Sequence, residues 1–206
     1  MNWPFLVFML FILNCNATPT FRETINEYGH TDKDGDHSYV ESYERLLAPY
    51  VNKSCTLLEI GVNFGGSAIM WYEHLPQSQL FLLDNRNVLE ERIFSNMDPS
   101  RWHFYLEDAY TPEVVALMQH ECPEGFDVIV DDGPHYVETQ EYVIQNYVPL
   151  LKVGGIVVIE DIQSMKDLEQ LKSVLPTSDD YQCEIIDLRP NKGRYDDILV
   201  VIKRVK

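Results

Sequence analysis

The feature that most constrains this chain is a series of short, mainly apolar runs separated by stretches of helical pattern. Leu57–Val62 (LLEIGV), Leu80–Leu83, Trp102–Leu106, Phe126–Val130 (FDVIV) and Ile156–Ile159 (IVVI) are strand-length segments. Continuous apolar character in so short a run is what a strand covered on both faces requires. Gly65–Leu75, Tyr136–Leu151 and Asp167–Leu175 read as helices, the second of them closed by Lys152-Val153-Gly154-Gly155. Alternation of this kind predicts a mainly parallel sheet with helices on both faces. Cys183–Leu188 and Ile198–Val201 flank a Pro190-Asn191-Lys192-Gly193 turn, so they are expected to form an antiparallel hairpin at one edge of what is then a seven-stranded sheet.

Upstream of the first strand, His37–Val51 carries Tyr39, Tyr43, Leu46, Leu47 and Tyr50 at helical spacing. That stripe reads as an amphipathic helix packed on the sheet, its aromatics serving as core. The preceding Gly29–Asp36 loop has alternating acids at Asp32, Asp34 and Asp36, but it lacks the later Glu of a calcium loop. Three segments result: residues 1–17, a helical cap over residues 18–52, and an α/β domain over residues 53–206.

Residues 1–17 differ from the rest. Phe5–Leu13 is unbroken apolar sequence, too short to span a bilayer, which takes roughly 20 residues. It has the length of a signal-peptide core, with Cys15 and Ala17 as the small residues before a cleavage point, although no Lys or Arg precedes it. A secretory or membrane-anchored location is therefore expected over a cytoplasmic one, with membrane association through residues 5–13. The alternative is a segment packed on the domain. Four cysteines without a CxxC pair make neither a disulfide framework nor a zinc site. With 33 acidic against 16 basic side chains, net charge −17, the average field repels polyanions, so a nucleic-acid partner is not expected.

In an open α/β sheet, ligands sit outside the carboxyl ends of the strands. The first strand leads into Glu59-Ile60-Gly61-Val62-Asn63-Phe64-Gly65-Gly66-Ser67. Gly61 permits a tight turn, and Gly65 and Gly66 let backbone approach a ligand at a helix N-terminus. A nicotinamide-binding loop would need a tighter glycine triad. This ExGxxxGGS pattern resembles the first motif of class I methyltransferases. The resemblance implies a Rossmann-like class I methyltransferase fold in which Glu59, Gly61, Gly65, Gly66 and Ser67 surround the methionine part of S-adenosylmethionine. It further implies that Asp84 takes the ribose hydroxyls, that Asp108 holds the adenine amino group, and that Asp131 belongs to the same cofactor site.

The fourth strand ends Asp131-Asp132-Gly133-Pro134-His135 and the fifth ends Glu160-Asp161. On neighbouring strands, Asp132, Glu160 and Asp161 would converge, and a hard divalent cation such as magnesium would relieve their repulsion. A hydroxyl beside that cation loses its proton more easily, and His135 is placed to take it. These strand ends, with Thr31-Asp32-Lys33, His37, Tyr39 and Tyr43 upstream, resemble the family of macrolide-sugar O-methyltransferases and cephalosporin-hydroxylase-like proteins. The resemblance implies Asp132, Glu160 and Asp161 as magnesium ligands and Asp132 with His135 as the catalytic pair, His135 being the general base. Pro134 departs from the family's usual Ser and puts the aim of His135 in question. The expected activity is methyl transfer to a hydroxyl of a sugar, glycan or small natural product. A metal-independent methyltransferase and a non-catalytic cofactor-binding scaffold are the alternatives.

Overall fold

The computed structural model describes residues 18–29 and 31–206. The apolar run at residues 5–13, and with it the expected leader, lies outside the described residues. Among the described residues no helix is long and apolar enough to cross a membrane.

The chain opens with α1 (Phe21–Tyr28), whose Thr20 cap and Glu23 form a reciprocal capping box, followed by α2 (Val40–Leu47). The α/β series then runs β1 (Cys55–Ile60), α3 (Gly66–His74), β2 (Ser78–Asp84), α4 (Glu91–Phe94), β3 (Trp102–Leu106), α5 (Pro112–Glu121), β4 (Phe126–Asp131), α6 (Val137–Asn146), β5 (Leu151–Ile159) and α7 (Met165–Val174). It ends with β6 (Tyr181–Asp187), α8 (Arg189–Lys192) and β7 (Ile198–Arg204). The strand order is β3-β2-β1-β4-β5-β7-β6. Neighbouring pairs are parallel from β3 through β5, and β7 runs antiparallel to both β5 and β6. This is the expected seven-stranded Rossmann-like sheet with its antiparallel hairpin.

Successive strand residues face opposite sides, which splits the interior into two cores. Leu57, Val128 and Val158 pack with Tyr39, Tyr43, Leu47 and Trp71 beneath α1, α2 and α3. Leu58, Ile129 and Val157 pack with Met118, Val143, Ile144, Leu168 and Leu171 beneath α5, α6 and α7. The aromatic stripe before the sheet is thus core, as its spacing predicts, although the helix that carries it is shorter than His37–Val51.

Some boundaries differ from the sequence expectation. Lys152–Gly155 does not close a helix; it belongs to β5, and α6 stops at Asn146. Pro149 removes a helical donor, and a 3-10 turn over Val148–Leu150 leads directly into the strand. The β4–β5 register then shifts between Phe126 and Val128, with Gly154 at φ +90°, the signature of a bulge. The final connection is a short helix, α8, capped by Gly193 at φ +74°, in place of a simple turn. Helices α1, α4 and α5 are additions to the sequence reading. For α5 a signal was present in Thr111-Pro112, where the Thr side chain accepts from Val114 N–H and Pro occupies the first turn.

The site end of the sheet is sealed at Gly61, which has φ +86°. A Cβ there would lie 2.0 Å from the Asp132 carbonyl oxygen, so the β1 turn and the β4 end meet backbone to backbone. Gly61→Ala is expected to destabilise the fold by about 3 kcal/mol or more, combining the left-handed backbone cost with displacement of a rigid neighbour. Urea denaturation checks this, and a change below about 1 kcal/mol would show that the contact relaxes easily.

Candidate active site

A cavity of about 880 Å³ opens at the carboxyl ends of β1–β4, a size suited to a small organic ligand. Its walls include Gly61, Ser67, Asp84, Asp108, Asp132 and His135, with Thr31, Asp32 and Asp36 contributed by the segment before α2. Glu59, Gly65, Gly66, Asp131, Glu160 and Asp161 are not among the lining residues.

Asp84 is the best organised of the lining acids. Its Oδ2 accepts the backbone N–H groups of Val62 (3.0 Å) and Asn63 (2.8 Å), and its Oδ1 accepts that of Arg86 (2.8 Å). Asn63 sits at φ +49°, which turns the chain sharply just after this N–H. The β1 loop and β2 end are therefore locked together, and Oδ1, which accepts a single donor, keeps a lone pair for a ligand's hydroxyl. Asp108 caps its own turn through Tyr110 N–H and is exposed at the rim. The cavity's residues fit S-adenosylmethionine: a carboxylate held by three backbone donors would face the ribose, and a mainly acidic lining would suit a sulfonium cation.

Glu59 and Asp131 stand behind that wall. Glu59 is fully buried, and its Oε1 accepts Trp71 Nε1–H at 3.0 Å. Asp131 accepts the Tyr110 hydroxyl at 2.9 Å. Burial pushes each carboxyl up to about 7. Asp131 reaches the cavity through Tyr110, which lines it, whereas Glu59 holds Trp71 in the core beneath α3. Gly65 caps α3 at φ +96° beneath the Phe94 ring, and Gly66 opens that helix.

The acid cluster lies beside the cavity. His135 Nε2 is 3.8 Å from Asp132 Oδ1 and 3.5 Å from Asp161 Oδ2. Asp132, His135 and Asp161 can each direct one ligand atom to within 4.8 Å of the others, a grouping able to hold a metal ion. His135 and Asp161 have φ +59° and +56°. Side chains avoid that region except where the surroundings enforce it, and here it turns both toward the same point. Pro134 lines the cavity beside His135, and the imidazole still faces both acids.

Glu160 departs from the sequence expectation. It is brought beside Asp132, but its carboxylate is already engaged. Lys33 Nζ donates to Glu160 Oε1 and Oε2, each at 2.7 Å, and to Asp132 Oδ2 at 2.8 Å. The Tyr43 hydroxyl donates to Glu160 Oε1 as well. Lys33 is completely buried. Burial opposes its charge, but Asp132, Glu160 and Glu59 outweigh that and hold Lys33 well above the usual lysine range. Asp161 accepts from the Tyr39 hydroxyl, and burial raises it above the usual carboxylate range. Buried His37 places Nδ1 3.2 Å from Asp197 Oδ1 and 3.3 Å from Asp161 Oδ1.

Sequence reasoning gave no role to Lys33, His37, Asp197 or the two tyrosine hydroxyls. The available signal was weak: Tyr39 and Tyr43 stand four apart, so one helical face presents two hydroxyls. Lys33 in a polar loop carried no mark of burial.

Glu59 generates a pH prediction. Its folded value of about 7 lies above the ordinary 4.5, so its contribution to stability is complete below about pH 4.5 and is lost as pH rises through 7. Glu59→Gln keeps the acceptor for Trp71 and removes this loss. Between pH 5 and 8 the wild-type unfolding free energy should fall by roughly 2–3 kcal/mol relative to the variant's. Urea titrations across that range test it, and parallel profiles would refute the assignment.

The model of a methyltransferase-domain family matches residues 58–162. An 8-demethyl-8-alpha-L-rhamnosyl tetracenomycin-C 2'-O-methyltransferase of Streptomyces olivaceus is 28% identical over 141 residues, covering 65% of this chain and 35% of that protein. A mycinamicin VI 2''-O-methyltransferase of Micromonospora griseorubida is 28% identical over 133 residues, covering 61% and 32%. The chain thus spans about a third of the length of these curated relatives. Among solved structures, MycE methyltransferase from the mycinamycin biosynthetic pathway, in complex with Mg and SAH, superposes with a TM-score of 0.72 at 20% identity, covering 91% of this chain and 55% of that one. The O-methyltransferase TomG from Streptomyces achromogenes gives a TM-score of 0.66 at 15% identity, covering 90% and 88%. These two likenesses are of fold. The family match covers more than half of the chain, strand ends and acid cluster included, and the chain belongs to the methyltransferase-domain family.

Proposed function

We propose that the chain is an S-adenosylmethionine-dependent O-methyltransferase acting on a hydroxyl of a sugar, glycan or small natural product, with magnesium assistance and His135 as general base. The observation that carries the reading is the convergence of His135 Nε2, Asp132 Oδ1 and Asp161 Oδ2 beside a cavity floored by the organised Asp84. The names of the relatives, sugar O-methyltransferases, support the acceptor class. The apolar run at residues 5–13 supports a secretory or membrane-anchored location.

Each group has a definable task. Asp84 accepts the ribose hydroxyls with oxygens already oriented by backbone N–H groups, so little ordering remains at binding. The acidic lining favours a sulfonium over a neutral analogue. Asp132 and Asp161 are the carboxylates placed to hold a divalent cation, which supplies Lewis acidity that eases loss of a hydroxyl proton. His135 Nε2 faces the same point and takes that proton. An SN2 transfer would further need the acceptor oxygen in line with the methyl group, a positioning that the cavity walls would supply.

Calorimetric titration of S-adenosylhomocysteine tests the cofactor half. Wild type should bind, and Asp84→Ala should weaken binding tenfold or more. With a glycoside acceptor that supports turnover, His135→Ala should lower kcat by roughly 10²-fold or more while leaving cofactor affinity within a few-fold. Well-folded wild-type protein that fails to bind the cofactor would overturn the reading.

A further inference from the structure

We infer that Lys33 is a resident cation of this site, one that takes Glu160 out of the ligand set of a divalent ion and leaves Asp132 and Asp161 as its carboxylate ligands. The inference rests on the metal-assisted reading above and changes which residues serve it.

The argument is one of hydrogen-bond and charge accounting. An ammonium has three protons and no acceptor. Those of Lys33 meet three oxygens: Asp132 Oδ2, Glu160 Oε1 and Glu160 Oε2. Tyr43 supplies a further donor to Glu160 Oε1. Glu160 Oε1 is filled by two donors, and Oε2, which keeps one lone pair, is met by the ammonium that stands between that carboxylate and Asp132. A dication entering there would meet a positive charge at contact range in a buried setting, where such repulsion is poorly screened.

Lys33 is also unable to step aside cheaply. It is fully buried, with Nζ 5.9 Å from the ring centroids of both Tyr43 and Trp71. Its carbonyl accepts Tyr39 N–H at 3.0 Å, fixing it to the start of α2. The loop that bears it is tied down by Lys192, which donates to the carbonyls of Asp34, Gly35 (3.1 Å) and His37 (2.8 Å). Displacing Lys33 means moving this whole segment.

What remains for a metal lies on the other side of the cluster. Asp132 Oδ1 and Asp161 Oδ2 face His135, while their companion oxygens are committed to Lys33 and Tyr39. Two carboxylate oxygens suffice for magnesium, which keeps most of its waters. His135 then stays available as a base.

Manganese is the probe, because its free-ion EPR signal reports binding without any turnover. It would be titrated into the full chain as wild type, Glu160→Gln, Lys33→Met, Lys33→Met/Glu160→Gln and Asp161→Asn. Wild type should bind the ion, Asp161→Asn should lose it, and Glu160→Gln should stay within threefold of wild type. Lys33→Met frees Glu160 to ligate and should bind tenfold or more tightly, a gain that the double variant abolishes. A tenfold or greater loss in Glu160→Gln would make Glu160 a ligand and overturn the inference. So would wild type that binds no manganese, or a folded Lys33→Met without a gain. If Lys33→Met fails to fold without metal, Glu160→Gln decides alone. S-adenosylhomocysteine titrated into the same wild-type sample reports the methyltransferase reading separately: cofactor bound with the wrong manganese pattern sinks only the inference.

Discussion

The active end of this molecule depends on one buried ammonium. Taking a lysine out of water is costly, and only close pairing with carboxylates makes it tolerable. Lys33 meets that condition with oxygens from two different strand ends, Asp132 after β4 and Glu160 after β5. The converse holds as well, since those acids would otherwise be crowded together without compensation. The segment before α2 is therefore no appendage to the α/β domain. It supplies the counter-charge that lets the strand ends approach, and the same segment forms the cavity wall through Thr31, Asp32 and Asp36. A second tie, from His37 to Asp161 and Asp197, binds that segment to β5 and to the entry of β7.

Around this tie the backbone is bent in a consistent way. Asn63, His135 and Asp161 are the non-glycine residues with positive φ among those described, and each follows the carboxyl end of a parallel strand, β1, β4 or β5. Asn, Asp and His tolerate that region better than most residues. The conformation turns a strand that would run on into solvent back over the sheet edge. At these bends Asn63 N–H donates to Asp84, and His135 and Asp161 face one another. The strain sits at the cavity, while the β1, β4 and β5 segments beneath it are regular and buried.

Much of this was legible from residue order. Continuous apolar runs give strands covered on both faces, and their alternation with helical segments gives the parallel order from β3 through β5. Acids at the ends of β2, β4 and β5 therefore had to lie at one edge of the sheet. Gly61 signalled a turn that no side chain can enter, and the structure places the Asp132 carbonyl against it. Less legible was anything set by contacts distant in sequence. Lys33 lies 2.7 Å from Glu160 and has no local pattern announcing it. Gly154 reads as a helix stop because glycine ends helices more often than it bulges strands, and only the β4 partner decides between the two. Glu59 sits in a motif associated with cofactor contact, yet faces inward to Trp71, because alternation along β1 sends it to the α3 side of the sheet.

The position of β7 bears on how such a molecule comes to be assembled. It is the last strand in chain order, yet it lies inside the sheet, with β5 on one side and β6 on the other. Until it arrives, β5 exposes an open edge and β6 has nothing to pair with. Asp197, at the entry to β7, also receives His37 from near the opposite end of the described chain. Emerging from a ribosome, the polypeptide could build β1 through β5 early but would have to hold both the cap segment and the apolar β5 flank unfinished until β7 had been made. Such a nascent chain would be a natural client for chaperones that shield strand edges during synthesis.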